Sequence, residues 1–345
     1  MYDNYSDSIN ISNITNISDD SANNDFKPTR LLVSFLVLTA MILIICGNLI
    51  VITVFHYTPS LRNPNTVFIT SLAIADLGVG ISCLFSVYAL FTGEKLNTYL
   101  CQAIGFFLTV VVGVSIMTLG CISIDRYIAV TKPLKYTYIM TKKRTRVISV
   151  CVWILSVAIF SPSLFGWGNY EFNDYTYECR LKWDIDVQFS FYVLSVLVFP
   201  NIVISSFCYY HIYKACRRQV KKHITQMENF SVDDTTGASD RESNRKVQER
   251  AVAKIFLVIV SAFYFTWLPF IIIRILEGII PNIDIPNLVS FLTAWMGIFN
   301  SFLNCLIYSI SHKSFQAGLK ALLKTIKDDC IYYCRKHTAK CCNRV

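Results

Sequence analysis

Charged side chains stand inside or at the end of two long apolar runs of this chain. Asp76 lies in the middle of "SLAIADLGVGI", and Asp125 and Arg126 end the run "LGCISIDRY". A carboxylate among hydroxyl and amide oxygens suits a hard cation such as sodium, or a proton. An arginine with a choice of anionic partners suits a switch. Either chemistry requires elements that hold these groups in place.

Those elements are predicted to be membrane-spanning helices. Apolar residues make up 54% of the 345 residues and charged residues only 16%, which excludes most soluble proteins of this size. A span needs about 20 apolar residues, and in lipid such a run must be helical. The fold class is therefore an all-α membrane protein, a seven-helix bundle. Spans one to seven cover residues 31–56, 66–92, 101–124, 147–166, 188–213, 251–276 and 286–309.

The basic residues predict how the bundle is oriented. Most of the 32 Lys and Arg residues lie in the loops after spans three and five and in the tail. Positive loops remain cytoplasmic, so the N-terminus is expected outside and the C-terminus inside. The net charge of +9 is then a topology signal and does not indicate nucleic-acid binding.

The segments outside the spans are predicted to be polar and irregular. Residues 1–30 form an extracellular, disordered segment, with no apolar core that would indicate a cleaved signal peptide. A membrane domain follows at 31–311, with a disordered cytoplasmic loop at about 222–246. Residues 312–345 form an amphipathic helix and a Cys-rich cytoplasmic tail. The N-terminal segment carries four sequons that predict glycosylation, at Asn4, Asn10, Asn13 and Asn16.

The predicted topology sorts the 13 cysteines. Cys101 opens span three on the outer side, and Cys179 lies in the outer loop between spans four and five, so the two can form a disulfide. The tail cysteines suit acylation, with plain reduced thiols as the alternative. These are Cys330, Cys334, Cys341 and Cys342.

The polar residues at mid-depth have two interpretations. An ionisable group inside a span is a functional hypothesis by default. Asp76 has polar counterparts at similar depth in other spans, namely Ser115, Asn300 and Asn304. Together they predict a small cation or proton site, and the alternative is a hydrogen-bonded cluster that only locks the helices.

The charged pair at the inner end of span three also has two interpretations. Arg126 could bind Asp125, Glu249 at the inner end of span six, or an incoming partner, as a switch requires. The alternative is an arginine that anchors its helix at the membrane interface.

Taken in order, the motifs resemble those of the rhodopsin-like class A G-protein-coupled receptors. The resemblance covers about residues 31–325 and depends on many motifs. They are "GNLIV", "LAIADL", "DRYIAVTKPLKY", "FYFTWLPF", "NSFLNCLIY" and "SHKSFQAGLKALL".

This resemblance implies a role for each matching residue. Asp76, Ser115, Asn300 and Asn304 correspond to a sodium pocket, so a structural sodium ion is the one cofactor to consider. The connector and toggle below the ligand, with the proline that kinks span six, are Ile116, Pro200, Phe263, Trp267 and Pro269.

The inner end would engage the G protein. Arg126, between Asp125 and Tyr127, would meet a Gα subunit once span six moves outward, supported by Tyr209 and Tyr308. Arrestin and receptor kinases are further partners that the family implies. Cys305 stands where proline follows Asn304 in most members, so span seven is expected to bend less. Tyr209 falls one residue later than the usual spacing from Pro200, so it departs from the family pattern for that role.

Several blocks resemble a small branch of orphan receptors with high ligand-free signalling through Gs. In that branch the second outer loop, here residues 170–185, occupies the pocket as a built-in agonist. Leu108 and Ile298 stand where amine receptors and opsins have an Asp and a Lys, which argues against an amine or a retinal ligand. An apolar cavity is predicted instead in the outer half of the bundle, and the alternative is that these side chains only pack the helices together. The residues are Phe106, Phe107, Leu108, Val111, Val112, Phe191 and Trp295, with Arg274 near the rim.

Other functions remain to be weighed. The receptor alternative is an agonist-dependent peptide or lipid receptor that couples to another G protein. A seven-helix transporter or membrane enzyme is more distant. The sequence shows no internal repeat, no nucleophile–base pair within the spans and no metal-ligand spacing, so no catalytic residue is predicted.

Overall fold

The structure is a computed structural model. It describes residues 11–58, 63–174, 176–182, 187–228, 237–280, 283, 285–311, 315–325 and 327–328. Within these ranges, side chains are described except at 11–30, 219–228, 237–252 and 311.

The described residues contain seven helices long and apolar enough to cross a membrane, as the sequence predicted. The spans lie at Leu31–Tyr57, Pro64–Thr92, Thr98–Thr131, Lys142–Phe165, Val187–Arg218, Ala253–Ile279 and Asn287–Ile310. The helices that carry them are α1 (Ile11–Tyr57), α2 (Pro64–Thr92), α3 (Thr98–Thr131), α5 (Lys142–Phe160), α6 (Val187–Val193) with α7 (Phe199–Glu228), α8 (Gly237–Ile279) and α9 (Asn287–Ser311).

Local sequence explains where several helices begin and end. The Asn97 side chain accepts the backbone N–H of Leu100 at 2.8 Å and caps α3. Thr141 caps α5 in the same way. Pro64 occupies the first turn of α2, where no N–H is needed, and Gly93 ends α2 in the left-handed conformation with φ of 75°.

Two prolines alter the helices that contain them. Pro269 lies inside α8, where it removes one helix hydrogen bond. Before Pro200, residues Leu194–Val198 form a π-helical turn, and the N–H of Phe199 donates to the carbonyl of Leu194. The wider turn accommodates the proline ring, which would collide with the carbonyl four residues earlier.

Glycines allow span three to lie close to its neighbours. A Cβ added at Gly113 would lie 2.5 Å from the Ser156 hydroxyl in span four, and one at Gly120 would lie 2.3 Å from the Asn201 side chain in span five. Small residues at such contacts let helices approach closely in lipid. Span three therefore runs through the centre of the bundle.

Shorter elements cover the two ends. On the outer side, a 3₁₀ turn at Ser161–Phe165 leads into strands β1 (Tyr170–Asn173) and β2 (Glu178–Leu181), which pair antiparallel as a hairpin. On the inner side, α4 (Pro133–Ile139) follows span three. The helix predicted after span seven, α10, covers 315–325, and its Phe315 is fully buried against Phe55 and Tyr308.

Two segments are more helical than the sequence led us to expect. Helix α1 begins at Ile11, inside the segment 1–30 expected to be disordered, and residues 11–30 contain no glycine. Within the loop at about 222–246, α7 continues to Glu228 and α8 begins at Gly237. Lys, Gln, Glu and Arg are frequent there and favour helix, so both spans extend past the membrane.

Candidate functional site

Span two contributes the acid at the centre of a buried polar cluster. Asp76 is 1% exposed. Ser115 of span three donates to one of its carboxylate oxygens at 3.2 Å, and the Asn304 amide of span seven donates to the other at 2.8 Å. Nearby, the Asn48 amide of span one donates to the backbone carbonyl of Ser301 at 3.0 Å. The cluster therefore joins four spans at mid-depth.

Two amide oxygens in span seven give this cluster spare acceptors. The Oδ1 atoms of Asn300 and Asn304 are buried, and neither has a hydrogen-bond partner among the described residues. A buried polar atom without a partner is costly, so such atoms indicate a missing ligand or water. A carboxylate, a hydroxyl and two amide oxygens are the donor set of a hard cation, so the residues fit the sodium ion that the family implies.

At the inner end, Arg126 is bound by its neighbour. The guanidinium donates through Nε to Asp125 at 2.9 Å and forms a close ion pair through Nη2. Both side chains are buried, and the guanidinium lies 5.6 Å from the ring centre of Phe256 in span six. Arg126 is therefore held within the bundle and closed off from solvent at this end.

Sequence reasoning missed a third member of this lock. The Tyr136 hydroxyl in α4 donates to Asp125 at 3.0 Å and accepts from Arg126 at 3.3 Å. Pro133 starts α4 only two residues after α3 ends at Thr131, which turns Tyr136 back under span three. The signal was present in "KPLKY", where a proline ends the preceding helix and a tyrosine follows three residues later.

The other residues predicted at the inner end lie around this lock, and each has different neighbours. Tyr127 points to span five, where its ring lies 5.9 Å from that of His211. Tyr308 is fully buried, and its hydroxyl has no partner among the described residues. Tyr209 packs beside the cluster of Val130, Ile212 and Ala253. The backbone of Glu249 lies in α8, but its side chain is outside the described residues.

The connector residues line one wall of an outer cavity, with one exception. Ile116, Phe263 and Trp267 share the lining, whereas Pro200 is not part of it. The rings of Phe263 and Trp267 lie 6.0 Å apart. A Cβ at Gly297 would lie 3.1 Å from the Trp267 ring, so the indole lies directly against the backbone of span seven. Gly297 was not predicted, and "WMGIFN" was its only signal.

The outer hairpin covers the cavity that this wall lines. The cavity measures about 120 Å³, and Glu178 to Leu181 of the hairpin form its roof. An apolar cavity was predicted in the outer half of the bundle, and Leu108 and Val112 line it as expected. Phe107 and Phe191 were wrongly placed there, since they are 42% and 44% exposed on the outer surface of the bundle.

The hairpin is held at three points. The predicted disulfide between Cys101 and Cys179 is present, with the Cα atoms 5.2 Å apart. The Tyr170 hydroxyl lies 2.8 Å from Thr109 of span three. The Trp295 indole of span seven donates to the Thr176 carbonyl at 3.0 Å. Tyr177 in the turn adopts φ of 55°, so the chain is forced into a tight reversal there.

The roof of the cavity carries two charged residues, Glu178 and Arg180, and Arg274 of span six lies near them. Glu178 is 7% exposed, and burial raises the pKa of its carboxyl, an effect that the charges of Arg180 and Arg274 partly offset. Arg274 also pairs with Glu277 at 2.6 Å. Burial likewise raises the pKa of the Tyr170 hydroxyl. The cavity is apolar with a compact set of opposite charges at its upper edge.

Some predicted positions lie outside the described residues. They are Asn4, Asn10 and the tail cysteines Cys330, Cys334, Cys341 and Cys342, and the side chains of Asn13 and Asn16. Their glycosylation and acylation remain predictions.

Comparison with known proteins identifies the family. The family profile "7 transmembrane receptor (rhodopsin family)" matches residues 47–308. The bovine "G-protein coupled receptor 52" is 39% identical over 294 residues, which cover 84% of this chain and 80% of that protein. The human "Probable G-protein coupled receptor 21" is 36% identical, covering 84% and 82%. The chain belongs to the rhodopsin family of receptors.

The fold supports this membership. The crystal structure of squid rhodopsin superimposes with a TM-score of 0.78 at 24% identity and covers 87% of this chain and 86% of its own. As a member of the family shown by the profile and the two relatives, the protein is a multi-pass plasma-membrane receptor that activates G proteins, and it is not an enzyme.

Proposed function

We propose that this receptor signals through Gs and cAMP without an added agonist, with its N-terminus outside the cell and its C-terminus inside. The second outer loop acts as the built-in agonist. The observation that carries the proposal is the hairpin Tyr170–Leu181, which roofs the cavity above Trp267.

The occupied pocket supports this. A cavity of about 120 Å³ is well below the roughly 300–1,000 Å³ of typical ligand pockets. The hairpin is fixed to span three by a disulfide and to span seven by the Trp295 indole. A tethered ligand loses little entropy on binding, so a modest contact energy suffices to shift the receptor between states.

The inner end supplies the response. Arg126 is closed off by Asp125 and Tyr136, and span six packs over it through Phe256. Outward movement of span six would uncover Arg126 for the C-terminal helix of a Gα subunit. Sodium bound at Asp76 would favour the closed arrangement, because it draws spans two, three and seven together. Arrestin and receptor kinases would then act on the same inner face.

The test measures cAMP in cells that express the full chain with no ligand added. We expect basal cAMP to rise with receptor expression, to disappear with Arg126→Ala, and to disappear in cells that lack Gαs. Trp295→Phe keeps the aromatic packing but removes the hydrogen bond to Thr176, and it should lower the basal signal. All variants are compared at matched surface expression.

Control variants distinguish a specific effect of the second outer loop on signalling from a general loss of folding. Trp167→Phe alters an indole that is 41% exposed on the outer surface, and it should leave the basal signal unchanged. A basal signal that survives both Trp295→Phe and Tyr177→Ala would contradict the built-in agonist. A receptor silent in every arm, but responsive to an added peptide or lipid, would establish the agonist-dependent alternative.

A further inference from the structure

A second cavity lies at the inner end of spans three and five, away from the lock at Arg126. It measures about 350 Å³. Tyr127 and Thr131 line it from span three, and His211, Lys214 and Arg218 line it from span five. Tyr127 belongs to the motif predicted for G-protein contact, but the G-protein mechanism above uses none of the three basic residues.

The lining carries charge of one sign. His211, Lys214 and Arg218 are three and four residues apart in α7, so they share one face of the helix. No carboxylate lines the cavity among the residues whose side chains are described. Such a site favours an anion, and the fork of an arginine beside a lysine suits a phosphate in particular.

The position of the cavity favours a lipid over a soluble anion. Phe207, Tyr210 and Tyr213 are 53%, 60% and 60% exposed on the same helix, as aromatic residues are at a membrane interface. The His211 ring lies 4.3 Å from that of Phe207, and the Lys214 ammonium lies 5.9 Å from the ring centre of Tyr210. Apolar surface thus adjoins the cations directly.

We propose that this cavity binds the phosphomonoester headgroup of an anionic phospholipid of the inner leaflet. Lys214 and Arg218 contact the phosphate, His211 donates to it, and the acyl chains lie along Phe207 and Tyr210. The placement in the inner leaflet rests on the orientation proposed above, and that leaflet is the anionic one.

The site is placed to affect signalling. Tyr127 follows Arg126 directly, and the neighbouring cluster of Val130, Ile212 and Ala253 joins spans three, five and six. A lipid bound here would bridge spans three and five while leaving span six free to move. It would therefore favour the arrangement in which Arg126 is uncovered.

The test uses the purified full chain in nanodiscs. One set contains phosphatidylcholine with phosphatidylinositol 4,5-bisphosphate, and another contains phosphatidylserine at matched total charge. Native mass spectrometry counts bound lipid for the wild type, for Lys214→Gln/Arg218→Gln, and for the control Arg217→Gln. The Arg217 guanidinium lies over Tyr213 and does not line the cavity.

We expect the phosphoinositide to bind more tightly than phosphatidylserine. The double variant should lose about 25-fold in affinity, since each cation contributes about fivefold. Arg217→Gln should remain within twofold of the wild type. Equal losses in both variants, or equal binding of the two lipids, would show attraction to surface charge only and overturn the site. Soluble inositol trisphosphate that binds as tightly as the lipid would overturn the assignment to a membrane ligand.

A measurement on the unmodified chain guards against misfolded variants. A photoreactive phosphoinositide in the same nanodiscs should crosslink to peptides that contain Tyr127–Thr131 and His211–Arg218. Crosslinks confined to other segments would contradict the proposal. Because binding is read without any G protein, its failure is distinguishable from a failure of Gs coupling, which the cAMP assay reports separately.

Discussion

At the residue scale, the polar cluster around Asp76 contains more hydrogen-bond acceptors than its own donors satisfy. Its two oxygens are already bound by Ser115 and Asn304, yet the amide oxygens of Asn300 and Asn304 remain without partners among the described residues. A cluster built only to lock helices would satisfy its own acceptors. The spare acceptors favour a bound cation.

This interpretation predicts a sodium effect that depends on one carboxylate. In detergent, exchanging N-methylglucamine for sodium should raise the Tm of the wild type by a few degrees, since a ligand at ten times its Kd stabilises the folded state by about 1.4 kcal/mol. Asp76→Asn should abolish the difference. Ser82→Ala is the control, because the Ser82 hydroxyl in the same span donates only to the Gly78 carbonyl. A sodium effect that persists in Asp76→Asn would place the ion elsewhere.

Glu178 predicts a pH dependence of stability. Burial raises the pKa of its carboxyl above the ordinary value of 4.5, so the folded receptor holds the proton more tightly than the unfolded chain. Its contribution is fully present below that ordinary value and is lost as pH rises through the folded-state pKa. Between about pH 5 and pH 8, the Tm of the wild type should therefore fall more than that of Glu178→Gln.

A neighbouring carboxylate provides the comparison for this pH effect. Glu171 lies in the same hairpin but is exposed and pairs with Lys182. Glu171→Gln should leave the slope of Tm against pH as in the wild type. Identical slopes for Glu178→Gln and the wild type would show that the buried carboxyl does not titrate in this range.

The position of a residue along its span explains why the contact of Asp76 with Asn304 could be predicted and the contact of Asp125 with Tyr136 could not. Asp76 and Asn304 are 228 positions apart in the chain, but each lies mid-span, so membrane geometry alone brings them to one level. Tyr136 lies only 11 positions from Asp125 and was missed, because its contact depends on how α4 turns after Pro133. Loop geometry of that kind has no periodic signal.

At the element scale, the outer hairpin is the part of the fold that sequence predicts least. The seven spans follow from apolar runs, and the disulfide followed from topology, but the β pairing of Tyr170–Asn173 with Glu178–Leu181 had no alternating pattern to indicate it. The residues that fix it, Thr109 and Trp295, belong to other elements. Only packing in three dimensions brings them together.

Close packing between span three and the hairpin predicts a sensitive glycine. A Cβ at Gly105 would lie 2.6 Å from the Tyr170 ring, so Gly105→Ala must displace strand β1. We expect a loss of about 1–3 kcal/mol in stability, as for other overpacked sites, and a fall in basal cAMP. Gly278→Ala is the control, since its Cβ would meet Val187 at an ordinary 3.5 Å. Equal Tm values for both variants would show that strand β1 moves aside at no cost in stability.

At the scale of the whole molecule, the proposed mechanism requires an equilibrium between a closed and an open inner end. The described structure is closed, because Arg126 is 5% exposed beneath Phe256 and bound to Asp125. The hairpin, the polar cluster at Asp76 and the lipid cavity near Tyr127 each contact span three. If the three proposals hold, span three is the element through which the outer pocket, the cation and the inner leaflet would all bias one equilibrium.

Weakening the lock should therefore shift the whole receptor toward the open state. Asp125→Asn removes the charge that holds Arg126, and a shift of about 1 kcal/mol changes the ratio of the two states by about fivefold. Basal cAMP should rise and Tm should fall. Tyr136→Phe removes one hydrogen bond to Asp125 and should give a smaller rise. Tyr138→Phe, in the same α4 but 76% exposed, should change neither quantity. If Asp125→Asn lowered basal cAMP at matched surface expression, Asp125 would be part of the active state and the lock would be refuted.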